Sequence, residues 1–259
     1  MRTVPLVNAP ALGQGNTMKT ILIVGIGAGN PEHLTVQAIN ALNRADVLFI
    51  PDKGESKADL ADLRRDIVAR YVTNPASRTL TYSVPRRDAA NPNYGEGVDD
   101  WHAALAHIFA ALLEEVPENG ASAFLVWGDP GLYDSTIRIV DRLRDRFTVE
   151  IIPGITSIQA LTAAHGIALN RIGEPVHITT GRRLGPVVDD TIVMLDGQTA
   201  FMTADPDLDI FWGAYLGTPD EVTISGRLGD VRDHIATTRK SAREQHGWIM
   251  DTYLLRKRD

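Results

Sequence analysis

The sequence predicts an α/β fold in two consecutive domains, and three observations carry that prediction. Apolar β-branched runs alternate with amphipathic helical patterns through the first half of the chain. Three small-residue loops, 25–31 (GIGAGNP), 128–133 (GDPGLY) and 153–157 (PGITS), each follow directly on such a run. After residue 154 the texture changes to shorter, more mixed segments. Alternation of strand and helix means a mostly parallel sheet. Loops at the carboxyl ends of parallel strands meet at one crevice, where open α/β sheets take their ligands. Three such loops point to one binding crevice and a small-molecule enzyme.

Residues 20–24 are β-branched and end in Gly25, which reads as the first strand. Leu34, Ala38, Ile39, Ala41 and Leu42 then recur at helical spacing, with Thr35 or Asn30-Pro31 as the cap. Residues 47–50 are the second strand, followed by the loop Pro51-Asp52-Lys53-Gly54. Leu60, Leu63, Ile67 and Val68 mark the next amphipathic helix. Residues 84–97, with two prolines and two glycines, read as a polar loop. Beyond it, Trp101, Leu105, Ile108 and Leu112 share one helical face. A strand at 123–127, a helix at 135–146 and a strand at 149–152 complete the expected first domain, residues 19–153. The second, 154–259, is expected to hold a short helix at 158–165 and strands at 176–180, 191–195 and 222–225. A helical stretch near 207–215 and an edge strand over 248–255 complete it. Residues 1–18, rich in Pro, Gly, Asn and Ala, are expected to be a disordered extension, with Met18 a candidate native start.

The 259 residues suffice for two modest cores. No apolar run is long enough for a membrane span. The chain has no cysteine, which excludes disulfides, thiolate metal sites and thiol catalysis; the cytoplasm is the expected location and no metal is implied. A formal net charge of −7 argues against nucleic-acid partners. It leaves room for anionic small molecules near local basic pairs such as Arg64-Arg65, Arg86-Arg87 and Arg182-Arg183, although solvated surface arginines are the simpler reading of any one pair.

The first glycine loop alone is a poor dinucleotide fingerprint. Asn30 stands at the third glycine position, and Asp46, an acid at about the right distance, precedes the second strand instead of ending it. The second loop places Asp129 where a strand meets the crevice, between Gly128 and Pro130. In the third, Thr156 and Ser157 follow a Pro-Gly turn, where they cap the next helix or offer hydroxyls to a ligand.

Taken in order, GxGxGxPxxLT, GDPxxY and PGxTS resemble the tetrapyrrole methylase family, from about Lys19 to the end of the chain. The resemblance implies two α/β domains with S-adenosyl-L-methionine folded into the cleft between them, and S-adenosyl-L-homocysteine as product. It implies cofactor contacts at Ala28, Gly128, Asp129, Leu132, Thr156, Ser157, Asp196 and Gly226. Asn30 departs from the usual aspartate of the first loop, and Asp196 from an apolar residue. The stretches 126–139 (VWGDPGLYDSTIRI) and 169–175 (LNRIGEP) resemble the deacetylating branch of the family, which acts on precorrin-5 in the aerobic route to cobalamin. Homodimers are common among its members.

That branch implies methyl transfer to C1 of the macrocycle and loss of an acetyl group as acetate. Methyl transfer rests on positioning and desolvation, while hydration of a ketone wants a base. Asp52, His102 and Tyr133 are the candidates. Arg86, Arg87 and Arg171 are the candidates for the substrate's carboxylates, which guanidinium groups hold at two points. A same-fold methylase acting at another carbon, an RNA- or protein-modifying fold-mate and a non-catalytic tetrapyrrole carrier are the alternatives.

Overall fold

The computed structural model describes residues 18–52, 58–85 and 94–258, organised around two five-stranded sheets. The first comprises β1 (Thr20–Gly25), β2 (Val47–Asp52), β3 (Arg78–Ser83), β4 (Ala121–Val126) and β5 (Thr148–Ile152), in the order β3-β2-β4-β1-β5. Every pairing in it is parallel. Strand side chains alternate between two cores. Ile21 and Ile23 join Phe49 and Phe124 under α3 (Tyr94–Glu114) and α4 (Thr136–Asp141). Leu22 and Val24 join Leu48 and Leu125 under α1 (Val36–Arg44) and α2 (Ala58–Tyr71). Because both faces are covered, the inner strands β1, β2 and β4 read as near-continuous apolar runs.

Both proposed caps at the first helix are used. Asn30 accepts from the Glu32 amide to start a 3-10 turn, and Thr35 accepts from Ala38 to start α1. Asp46 accepts from the Ala121 amide at 2.8 Å, at the amino-terminal edge of the sheet.

The second sheet comprises β6 (Val176–Thr180), β7 (Asp190–Met194), β8 (Asp209–Ala214), β9 (Val222–Arg227) and β10 (Asp251–Arg256), in the order β6-β7-β10-β8-β9. Only β6 and β7 are parallel; the other pairings are antiparallel. One face is covered by α6 (Leu228–His246), whose Leu228 and Ile235 meet Trp212 and Tyr253. Its other face takes α5 (Ser157–His165), through Ile158 and Leu161 against Ile192 and Leu254.

Three expectations are corrected. Residues 207–215 hold a strand, not a helix: Ile210, Trp212 and Ala214 face one core and Phe211 the other, a period of two. The run at 248–255 is not an edge strand, because β10 lies between β7 and β8 at the centre of its sheet. Instead of one helix over 135–146, α4 stops at Asp141 and a 3-10 turn follows at Arg144–Arg146. Strand β3 and helix α6 were not anticipated.

Candidate active site at the junction of the glycine loops

The three loops meet through their backbones. Gly27 and Gly128 form an isolated bridge, with Gly128 N donating to Gly27 O at 2.8 Å and Gly27 N to Gly128 O at 3.3 Å. A Cβ on Gly25 would lie 2.6 Å from Gly154 N, and one on Gly154 would lie 2.1 Å from Gly128 O. No side chain fits between them. Asp129 completes the junction: Oδ2 accepts from Gly154 N at 2.9 Å and Oδ1 from Gly131 N at 2.7 Å. The carboxylate therefore locks the second loop to the third.

The second sheet closes on this junction from the other side. Thr156 caps α5 in a capping box with Gln159. Ser157 Oγ reaches Thr252 Oγ1 at 3.0 Å, which ties the start of α5 to β10. The first loop lies against the turn after β8, since a Cβ on Gly29 would meet Leu216 O at 2.5 Å. Ala28 is buried with Ile158, Leu161 and Leu216, and Leu132 packs against the same cluster. Leu195 and Tyr215, each the residue after a strand of the second sheet, adopt left-handed φ values of 52° and 51°. Tyr133 in the second loop does likewise at 51°. Such conformations are costly for non-glycine residues and mark sites where structure is held against preference. Leu195 is also 57% exposed, and it lines a 380 Å³ pocket with Arg239, Trp248, Ile249 and Met250.

A second cavity, of about 260 Å³, opens at the carboxyl edge of the first sheet. Pro51, Tyr82, Trp101, Trp127, Tyr133 and Arg64 are among its walls. Its floor is an aromatic stack: Phe109 and Phe124 have centroids 4.2 Å apart, and Tyr82 stands edge-on to Phe109 at 5.6 Å. Burial pushes the Tyr82 phenol well above its ordinary range and draws the Arg64 guanidinium down to about 10.

A family model described as Tetrapyrrole (Corrin/Porphyrin) Methylases matches residues 20–232. The chain belongs to this family. Among curated relatives, a precorrin-6A synthase [deacetylating] from Sinorhizobium sp is 59% identical over 250 residues, covering 93% of this chain and 96% of the relative. Among solved structures, the cobalamin synthesis related protein CobF of Corynebacterium diphtheriae is 43% identical with a TM-score of 0.81, over 93% of this chain and 100% of that one. A uroporphyrin-III C-methyl transferase from Thermus thermophilus, complexed with S-adenyl homocysteine, shares the fold at 18% identity and a TM-score of 0.57, over 92% of both chains.

Tetrapyrrole methylases use S-adenosylmethionine, and the junction has a surface that fits it. A Cβ on Gly128 would meet nothing nearer than Thr156 Cα at 3.9 Å, so the loop presents open backbone there. Exposed Leu195 presents an apolar face at the mouth of the 380 Å³ pocket. Of the residues expected to touch the cofactor, Ala28, Gly128, Asp129, Leu132, Thr156 and Ser157 all gather at the junction. Asp196 follows β7, and its carboxylate is spent within the second half of the chain: Oδ1 accepts from Gln198 N, and Oδ2 from Ala200 N and the Tyr253 hydroxyl. Gly226 is not brought to the junction. It pairs with Ile210, four residues along β8 from the Ala214 end, about 13 Å away at the rise of a strand.

The remaining candidates scatter. Tyr133 lines the 260 Å³ cavity. Asp52 does not, although Pro51 beside it does; its carbonyl accepts from Val84 N. His102 follows Trp101 on α3, with ring centroids 5.6 Å apart, and the charges acting on it are Arg142, Asp99 and Arg138. It is therefore a neighbour of Trp101 but a buried one, not a surface one. Arg171 sits at the opposite end of the second sheet, donating to the Lys257 carbonyl near the start of β7. Arg86 and Arg87 lie outside the described residues. The sequence reading missed Leu195 and Tyr215, whose signal is backbone conformation, and Arg64, whose signal is burial.

Proposed function

We propose that this chain is an S-adenosylmethionine-dependent C-methyltransferase of cobalamin biosynthesis that converts precorrin-5 to precorrin-6A, methylating C1 and releasing acetate. The observation that carries the reading is 59% identity to a precorrin-6A synthase [deacetylating] over 93% of this chain, joined to an intact three-loop junction. The family relative complexed with S-adenyl homocysteine supports the choice of cofactor.

In this reading residues 19–153 and 154–259 are two domains and the cofactor lies between them. Gly128, Leu132 and Thr156 would hold it from one side, and Leu195, Ile249 and Met250 from the other. When bound, the cofactor supplies a methyl group already activated on a sulfonium. The chain's task is then placement and exclusion of water, which a backbone junction fixed by Asp129 performs without rearrangement. The macrocycle lies along the carboxyl edge of the first sheet, over the aromatic cavity. Of the three candidate bases, Tyr133 alone lines that cavity, so we assign its hydroxyl to the acyl carbonyl or the water that adds to it. Asp52 and His102 are not assigned to the reaction. A homodimer in the cytoplasm is the assembly this reading expects; among the described residues no helix is long and apolar enough to cross a membrane.

The test is a mass spectrum of the tetrapyrrole after incubation with S-adenosylmethionine and precorrin-5, with acetate assayed in parallel. Gain of one methyl with loss of the acetyl and appearance of acetate is the expected result. A methyl gained with the acetyl retained would make the chain a methylase of a different step.

A further inference from the structure

Arg64 and Arg65 are neighbours in sequence with opposite fates. Arg65 is exposed and pairs with Asp62 at 2.6 Å on the surface of α2. Arg64 is 5% exposed. Its Nε donates to Leu125 O at 3.0 Å and its Nη1 to Leu60 O at 2.7 Å, which pins the guanidinium against the first sheet. Neither partner is charged. No ion pair to Arg64 exists among the described residues; the carboxylate that acts on it, from beyond contact, is Asp134. A buried cation without a counter-ion is expensive to keep, and burial lowers its pKa.

Trp127 supplies a second unmet donor. Its indole Nε1 is buried and has no acceptor. Buried donors of this kind are rare and call for an explanation. Both residues line the same 260 Å³ cavity, whose other walls include Tyr82, Trp101, Phe109 and Phe124. Apolar walls strengthen any charge pairing made inside them. Asp134 shares the cavity, but its Oδ1 is held by Thr136 N at 2.6 Å.

We propose that Arg64 and Trp127 form a receptor for a single carboxylate, which enters either as one acidic arm of the tetrapyrrole or as the acetate released from it. A guanidinium presents paired N–H groups that match a carboxylate, and Arg64 Nη2 makes no bond among the described residues. Size sets the ligand class. A cavity of about 150 Å³ admits benzene, so 260 Å³ holds a short carboxylate arm or acetate and excludes the macrocycle itself. The choice between the two sources rests on the proposed reaction; the receptor for a small carboxylate does not.

Line broadening of 13C-labelled acetate by the full-length protein, without cofactor, tests the receptor directly. The wild type is expected to bind acetate saturably. Trp127→Phe keeps the ring and loses the donor, and should weaken binding about tenfold. Arg64→Lys keeps the charge and loses the fork, and should weaken it at least as much; Asp134→Asn should tighten it. In steady-state assays with folded Trp127→Phe, a KM for precorrin-5 raised about tenfold at unchanged cofactor Kd assigns the site to a substrate arm. Weaker product inhibition by acetate at unchanged KM assigns it to the leaving group. The proposal is overturned if Trp127→Phe turns over with unchanged KM and unchanged acetate inhibition while the wild type broadens no acetate. If acetate binds and the variants abolish it, but no macrocycle is converted, the receptor stands and the reaction assignment falls.

Discussion

Two regions at the carboxyl edge of the first sheet are built on opposite plans. The loop junction is made of main chain: glycines at van der Waals limits, a two-residue bridge and one carboxylate spent on two amides. The cavity beside it is made of side chains drawn from β2, β3, β4, α2, α3 and α4. A main-chain site tolerates no added atom but is indifferent to most neighbouring side chains. A side-chain site tolerates changes of shape but depends on every donor finding its acceptor. The first plan suits a cofactor shared by a whole family. The second suits a substrate particular to one member.

The comparison breaks most sharply at Gly154. A Cβ there would sit 2.1 Å from a carbonyl oxygen of the second loop, and backbone cannot move aside as a side chain can. Gly154→Ala should cost more than about 4 kcal/mol or prevent folding. Thermal unfolding is the measurement, and a melting point near that of the wild type would show that the junction yields.

Next in size is the buried pair Arg239–Asp251 in the second sheet, at 2.9 Å, with the Trp212 indole N–H on the same carboxylate oxygen. Arg239→Met leaves that carboxylate buried and unpaired. The expected loss is about 3–5 kcal/mol, read from denaturant unfolding. It tells whether side-chain networks here are as demanding as the glycine junction.

Asp129→Asn sharpens the contrast at moderate cost. One amide of Gly131 or Gly154 then faces an NH2 group, for a loss of about 1–3 kcal/mol. Affinity for S-adenosylmethionine should fall while KM for the tetrapyrrole holds. Equal losses in both would mean that the two regions are one site.

The smallest effect is a pH dependence at His102. Burial, with the Arg142 cation, holds its pKa below the ordinary value of 6.5. Above that value the ring is neutral in folded and unfolded chains and contributes nothing. As pH falls below it, the unfolded chain takes up a proton that the folded one refuses, so stability declines. Melting points between about pH 7 and pH 5 should slope less in His102→Gln than in the wild type. Parallel curves would clear His102 of the effect.

The same division explains what was legible in the sequence. Gly25 and Gly154 could be read as a site because close backbone approach demands glycine, and Gly128 because a φ of 68° favours it; glycine is visible one letter at a time. Strands β1, β2 and β4 were readable because burial on both faces leaves near-continuous apolar runs. Strand β3 has the burial pattern of a half-exposed edge, and RTLTYS carries no such run. Arg64 was indistinguishable from Arg65 because burial is decided by tertiary contact, here with Leu125. Residues 207–215 misled because a short run of large apolar residues fits helix and strand alike until its partner strand is known. Arg171 was assigned to the substrate by charge alone, and topology sends it to the far end of β7.

The central place of β10 has a consequence for how the enzyme is made. All five strands of the first sheet have been synthesised by residue 152, so that half can fold while synthesis continues. The second sheet cannot. Strands β7 and β8 both wait for residues 251–256 to slide between them, and Ser157 waits for Thr252. A nascent chain therefore carries a finished first half beside two strand edges, of β7 and β8, open until translation of β10 is complete, the interval in which a chaperone would have most to shield.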